Sequence, residues 1–169
     1  KSLFIETTHV PFILYGPAFL PSGRQIESAV SHIDLMPTLL ELAGIKPPDF
    51  LEGRSLLPLM STNVAETLAS RPVYIEVIHE NSYARGVVDN NLKLIQVRVH
   101  DKEKWLLYDH SVDPREKNPI EAETHPEYPR LKGLLNSFVE KASKKAVQPE
   151  TADIDHDTKE KLKTLGYIQ

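Results

Sequence analysis

The strongest constraint on the fold is a run of four strand-like segments that follow one another at short intervals. They are Val73–Ile78, Tyr83–Asp89, Leu92–Val99 and Trp105–Asp109, each rich in β-branched or aromatic residues. The links are too short for a crossover helix, so consecutive strands are expected to pair antiparallel. Asn90-Asn91 suits a two-residue turn, because Asn tolerates positive φ better than most residues. The pattern predicts a four-stranded antiparallel meander.

An amphipathic helix is predicted after the strands. Apolar residues recur from Leu131 to Ala142 at the spacing of one helix face. Lysines at 141, 144 and 145 suit the negative end of the helix dipole. The helix is expected to cross one face of the meander. A second, short helix is predicted from Asp157, ending at Gly166.

The residues before the meander have the pattern of an α/β domain. The apolar run Val10–Tyr15, closed by Gly16-Pro17, predicts a strand that is buried on both faces, as in a parallel sheet. A helix is predicted over Ile33–Ala43, since Ser31 and Asp34 fall close to capping-box spacing and Gly44 can end it. Residues 46–60 are Pro-rich and are predicted to be irregular. The fold class is therefore α/β, with a local α+β part.

Composition excludes several functions. The chain has 20 Lys and Arg against 24 Asp and Glu, and this net charge of −4 gives no basic excess for binding nucleic acid. With no Cys, it has neither disulfides nor thiolate sites.

The longest apolar runs are far shorter than the roughly 20 residues of a membrane helix. The first residues, from Lys1, lack the pattern of a leader, and the chain is expected to begin inside a longer protein.

Few residues form a recognisable catalytic pattern. His79-Glu80 ends a predicted strand, where residues often face a cleft, although an ordinary polar turn is the alternative. Asp109, Asp113 and Glu116 could be imagined as calcium ligands, but turn chemistry after a strand is the favoured interpretation.

Six segments carry motifs in a fixed order along the chain. They are Lys1-x-x-x-x-Glu6 before Val10-Pro11-Phe12-Ile13; the run Ser31–Ile45, which contains Asp34-Leu35-x-Pro37-Thr38; Gly53-x-Ser55-Leu56-x-Pro58-Leu59; Lys93-Leu94-Ile95; Leu107-Tyr108-Asp109 with Asp113-Pro114-x-Glu116; and Leu162–Ile168. Together they resemble the C-terminal third of the sulfatases, the formylglycine-dependent branch of the alkaline phosphatase superfamily.

The resemblance implies hydrolysis of sulfate monoesters by a formylglycine hydrated beside calcium. It implies the end of an alkaline-phosphatase-like α/β sandwich over 1–70, an antiparallel-sheet and helix subdomain over 71–147, and a linker with a short helix over 148–169. The family's C/S-x-P-x-R nucleophile motif and its metal-binding Asp and Asn residues are missing from this sequence. The chain is thus expected to be a C-terminal fragment, inactive alone, with calcium ligands upstream of Lys1 and no metal site of its own.

The resemblance also implies particular contacts. Lys1 matches the family lysine that contacts the sulfate, a role suited to a compact ammonium charge. In the family the small subdomain borders the active-site mouth, so His79, Glu80 and Tyr83 are candidate substrate contacts. The implied partners are a sulfated small molecule or glycan and the upstream N-terminal sulfatase domain. Without that domain, the fragment would expose apolar surface and is expected to form a homodimer, to swap elements between copies or to aggregate. The family implies an extracytoplasmic location, periplasmic or secreted.

Two other functions stay open. A phosphate or phosphonate ester hydrolase of the same superfamily would share these segments and carry a different nucleophile, such as Thr. A non-catalytic binding or dimerisation module would keep the fold without an upstream C/S-x-P-x-R sequence.

Overall fold

The structure is a computed structural model that describes residues 3–16, 20–21, 23–60, 70–79, 82–146 and 155–166. The chain divides into two compact units, Lys1–Val139 and Glu140–Gln169. The first contains the sheet and the elements before it.

The predicted meander is confirmed. Strands β1 (Val73–His79), β2 (Ser82–Asp89), β3 (Leu92–Val99) and β4 (Lys102–Asp109) form a sheet in the order β1-β2-β3-β4. Every neighbouring pair is antiparallel. Asn90 has a φ of 52°, which gives the β2–β3 turn the left-handed residue that its sequence favours.

One face of the sheet is covered by the predicted helix, α4 (Tyr128–Lys145). Leu131 and Leu135 from the helix join a buried cluster with Val87, Leu94 and Leu107 from the strands. The two layers are also joined by rings, since Tyr74 stacks on Phe138 with centroids 4.1 Å apart. Burying these apolar side chains is the main force that holds the helix on the sheet.

The elements before the sheet are short. They are α1 (Ile5–Thr8), a 3₁₀ turn (His32–Asp34) that leads into α2 (Leu35–Leu42), and α3 (Leu57–Met60). Asp34 accepts a hydrogen bond from the Ser31 backbone N–H at 3.0 Å, which is the carboxylate half of the predicted capping box. Gly44 has a φ of 70°, as expected of the residue that ends the helix.

The predicted strand at Val10–Tyr15 is wrong. These residues have no regular secondary structure, and Ile13 and Tyr15 are 85% and 87% exposed. A parallel strand forms only beside a partner strand, and the described residues offer none outside the meander. Two of the four leucines of α2, Leu35 and Leu39, are also exposed, whereas Pro37 and Thr38 are buried.

The segment around Gly53 is fastened to the start of α2. The Arg54 backbone N–H donates to Asp34 Oδ1 at 2.9 Å, and the Leu56 backbone N–H donates to Thr38 Oγ1 at 3.0 Å. Gly53 itself lies against the Ile33 carbonyl so closely that a Cβ would stand 1.8 Å from its oxygen. The motif residues around Gly53 and those at the start of α2 therefore stabilise one close contact between the two backbone segments.

The second unit contains the end of α4 and the predicted terminal helix, α5 (His156–Thr164). Asp155 caps α5 by accepting the Thr158 backbone N–H at 2.9 Å. Among the described residues, no helix is both long and apolar enough to cross a bilayer.

Candidate functional site

The residues predicted to contact substrate are only partly described by the structure. Lys1 and Glu80 lie outside the described residues. His79 is the last residue of β1 and pairs with Ser82. Tyr83 is half-buried on β2, with the Arg85 guanidinium carbon 4.3 Å from the centre of its ring. Arg85 is in turn paired with Glu76 across the strands, Nε to Oε1, at 2.5 Å.

Tyr83 faces the α4 side of the sheet. It is four residues from Val87 on an uninterrupted strand, so both side chains lie on the same face, and Val87 belongs to the cluster with α4. Residues 3–8 instead pack on the opposite face. The structure therefore does not bring Tyr83 together with the segment that follows Lys1.

The segment that follows Lys1 is docked firmly on that opposite face. Leu3 is 7% exposed and shares a buried cluster with Ala84, Ile95 and Tyr108. Phe4 meets the Tyr108 ring edge to face, with centroids 6.2 Å apart. A segment at the start of the chain is thus held by apolar contacts to three strands.

A buried carboxylate, Glu116, lies at the centre of this contact. Its Oε2 accepts the backbone N–H of Ile5, the first residue of α1, at 2.8 Å. Its Oε1 lies 2.8 Å from Lys93 Nζ and 2.8 Å from His110 Nε2. Lys93 Nζ also donates to Thr8 Oγ1 at 3.2 Å. We call Lys93, His110 and Glu116 the Glu116 cluster.

The side chains of the Glu116 cluster are largely shielded from solvent. The side chains of Lys93 and Glu116 are 1% and 0% exposed, whereas His110 keeps 21%. Burial lowers the pKa of Lys93, while the hydrogen bond and charge of Glu116 and the charge of Glu6 act in the other direction. Burial also raises the pKa of Tyr108, as do the charges of Glu116 and Asp113. The polar atoms of this cluster satisfy one another where water is largely excluded.

The loop that carries Glu116 is shaped by two aspartates. Asp109 Oδ1 accepts the Ser111 backbone N–H at 2.9 Å, and Asp113 Oδ2 accepts the Asn118 backbone N–H at 2.8 Å. Hydrogen bonds from the Ser111 hydroxyl and then from its backbone N–H lower the pKa of Asp109, and the bond from the Asn118 backbone N–H lowers the pKa of Asp113. The acidic side chains of Asp109, Asp113 and Glu116 each bind separate partners. No group of three or more candidate metal ligands occurs among the described residues.

The role of the Glu116 cluster was not predicted from the sequence, although a signal for it exists. Lys93 alternates with Leu92 and Leu94 along β3 and so shares a face with Ile95 and Val97. A lysine in an otherwise apolar row indicates a buried charge that needs a partner. The motifs Lys93-Leu94-Ile95 and Asp113-Pro114-x-Glu116 hold the two halves of that pair.

The chain has a mixed α/β fold with a four-stranded antiparallel sheet, and the solved structures that share this fold are sulfatases of the alkaline phosphatase-like fold. A family model described as N-sulphoglucosamine sulphohydrolase, C-terminal, matches residues 1–145. The chain therefore belongs to the sulfatase family, and it corresponds to the family's C-terminal domain.

Relatives agree with this assignment. Arylsulfatase K of Xenopus laevis is 30% identical over 147 residues, covering 82% of this chain and 27% of that protein. An N-acetylglucosamine-6-O-sulfatase of Bacteroides thetaiotaomicron is 28% identical over 172 residues, covering 98% of this chain and 29% of that protein. The solved structure of BT1596, a 2-O GAG sulfatase, superimposes with a TM-score of 0.50 and 25% identity, covering 70% of this chain and 27% of that one. The chain thus spans less than a third of the length of these relatives.

Proposed function

We propose that the protein of which this chain forms a part hydrolyses sulfate monoesters, with a sulfated small molecule or glycan as substrate. The observation that carries the proposal is the family match over residues 1–145, together with six ordered motifs. Relatives named as sulfatases of N-acetylglucosamine and of GAG chains favour a sulfated sugar.

In this proposal Lys1 contacts the sulfate group. An ammonium group binds a sulfate oxygen through charge-assisted hydrogen bonds, and it stabilises negative charge as the ester bond breaks. The docking of residues 3–8 supports the assignment, because a residue that binds the reacting group must be carried by a well-fixed segment. His79, Glu80 and Tyr83 remain proposed substrate contacts. Tyr83 would meet a part of the substrate other than the sulfate group, since it lies on the sheet face opposite residues 3–8.

The nucleophile and the metal are proposed to lie elsewhere in the intact protein. A formylglycine would supply the attacking oxygen, and calcium would offset charge on the sulfate. Among the described residues, no three His, Asp or Glu side chains come together in a group that could hold a metal ion. The role that we assign to this chain is to bind and orient the substrate. An extracytoplasmic location, common to the family, is part of the same proposal.

Exposed apolar side chains before the sheet support a further domain as partner. The large ones are Val10, Phe12, Ile13, Tyr15, Met36, Leu39, Ile45 and Phe50. Exposed apolar side chains in such number usually mark an interface. We propose that the N-terminal sulfatase domain covers them, with residues 1–70 completing the large domain and 71–147 forming the small one.

The test measures hydrolysis by the intact protein on a sulfated monosaccharide and on the matching phosphate ester. Sulfate release should dominate, and Lys1→Ala should lower kcat/KM for it by about 10²-fold. Lys141→Ala, which removes an exposed lysine of α4, is the matched control and should leave the rate unchanged. Faster phosphate release would assign a phosphoester hydrolase. Release of neither product would support a non-catalytic module.

A further inference from the structure

The Glu116 cluster joins parts of the chain that are far apart in sequence. Glu116 lies 111 residues from Ile5, and Lys93 lies 85 residues from Thr8, yet each pair is hydrogen-bonded. One bond reaches the first residue of α1 and the other reaches its last. The two bonds therefore fix both ends of α1 against the sheet.

Helix α1 cannot hold this position by itself. It is a single turn of four residues, and a turn this short has no stability of its own in water. The N–H of Ile5 has no acceptor within the helix, since the first four N–H groups of any helix lack one. The Glu116 carboxylate provides that acceptor and also places negative charge at the positive end of the turn.

A buried ion pair is a costly way to gain stability. Both charges must leave water, and well-packed apolar residues in the same place often give an equal or more stable protein. Directional hydrogen bonds to a third segment are what an apolar pair cannot provide. Lys93 and Glu116 each use one such bond on α1 while they also bind each other.

We propose that Lys93 and Glu116 are positioning residues: through Ile5 and Thr8 they hold the segment that carries Lys1 in the register that hydrolysis requires. The inference rests on the proposed role of Lys1 at the sulfate. Neither residue touches the substrate, and their effect on the reaction passes through the placement of α1. His110, bonded to the same carboxylate oxygen, completes the cluster at its solvent side.

The test compares three variants of the intact protein. In Lys93→Met/Glu116→Met both charges are replaced together by flexible apolar side chains, so no lone charge stays buried. Asp89→Asn, the control, breaks a pair that joins the sheet to α4, Arg130 Nη1 to Asp89 Oδ2 at 2.6 Å. Lys1→Ala reports on the catalytic role itself. Each variant is measured for thermal midpoint, for hydrogen exchange of the Ile5 amide, and for kcat and KM.

The double variant should lose only a few degrees in its thermal midpoint, because removing the desolvated ion pair offsets part of the cost of leaving the Ile5 N–H without an acceptor. Its Ile5 amide should nevertheless exchange at least about tenfold faster, because the acceptor is gone. Its kcat should fall by about 10²-fold, the loss expected when a reacting group moves by about 1 Å, with KM changed less than about threefold. Asp89→Asn should keep the parental exchange rate at Ile5 and the parental kcat.

The three variants distinguish a failure of the positioning role from a failure of the proposed role of Lys1. If Lys1→Ala is inactive while the double variant keeps the kcat and the Ile5 exchange of the parent, the positioning role is overturned and the role of Lys1 stands. If Lys1→Ala keeps the parental kcat, the proposed role of Lys1 fails and the inference fails with it. A loss of kcat in Asp89→Asn equal to that in the double variant would show that general destabilisation explains the effect, which also overturns the inference.

Discussion

Replacement of Gly53 by Ala should destabilise the protein through one backbone contact. The added Cβ would lie 1.8 Å from the Ile33 carbonyl oxygen and 2.4 Å from its carbon, both fixed main-chain atoms. To reach an ordinary contact of 3.4 Å the two segments must separate by roughly 1.6 Å. No rotamer change can relieve such a clash.

That separation would break the hydrogen bonds on either side of the contact. The Arg54 and Leu56 N–H groups would move out of reach of Asp34 and Thr38, which now lie 2.9 and 3.0 Å away. The buried Leu56 donor costs about 1 to 3 kcal/mol when it is left without an acceptor, and the partly buried Arg54 donor adds a smaller cost. We expect Gly53→Ala to lower the free energy of unfolding by about 3 kcal/mol.

The matched control is Gly133→Ala. Gly133 lies within α4, and a Cβ there would meet nothing within 4 Å. The same substitution should therefore stabilise the protein by about 0.5 to 1 kcal/mol through helix propensity. Urea denaturation of both variants gives the free energies, and exchange of the Leu56 amide reports the contact directly. If Gly53→Ala has a free energy of unfolding within about 0.5 kcal/mol of the parent and the Leu56 amide exchanges at the parental rate, the close contact between Gly53 and Ile33 does not limit stability.

Three further predictions concern single interactions. Thr38→Val removes the acceptor of the Leu56 N–H and should cost about 1 to 3 kcal/mol in urea denaturation, whereas Thr38→Ser should cost less because it keeps the hydroxyl. The Asn118 N–H lowers the pKa of Asp113, so its carboxylate stabilises the fold above its unfolded pKa of about 3.9, and that contribution is lost as the pH falls through the folded pKa. Asp113→Asn should accordingly lower the urea midpoint at pH 7, and the midpoints of variant and parent should converge at the acid end of a pH series. An equal difference between the two midpoints at every pH would contradict this. A double-mutant cycle on Tyr74 and Phe138, each changed to Ala, should give a coupling of about 0.5 to 1.5 kcal/mol from the stacked rings, and additive effects would show that the rings contribute only by burial.

Local patterns predicted the sheet and the long helix well. Val73–His79 and Leu92–Val99 follow directly from β-branched runs, and α4 follows from its apolar face. The strands and α4 pack against segments that lie nearby in the chain. The apolar residues that stabilise them are therefore the same residues whose pattern predicts them. The turn at Asn90 was predictable for the same reason.

Patterns failed where a distant partner decides the structure. Val10–Tyr15 has the composition of a buried strand, yet an apolar run takes that form only when other strands flank it. The apolar spacing in α2 predicted the helix but did not reveal that Thr38 is buried to hold Leu56. In both places the missing information is tertiary.

The Glu116 cluster shows the same limit at the candidate site. Lys93 and Glu116 belong to two of the motifs that resemble those of the sulfatases. This resemblance identified the family correctly. Their shared contact with α1 spans 111 residues, a distance that no local pattern covers. The proposed roles of Lys1, His79, Glu80 and Tyr83 stay predictions that rest on the resemblance.

A mass measurement and peptide map of the intact protein from its source test the central proposal most directly. We expect a peptide with a C/S-x-P-x-R sequence whose Cys or Ser carries the mass change of formylglycine. That result would make this chain the substrate-side part of a sulfatase. An unmodified Thr as nucleophile, or no such peptide at all, would overturn the proposed sulfatase function and assign the protein to phosphoester hydrolysis or to a binding role.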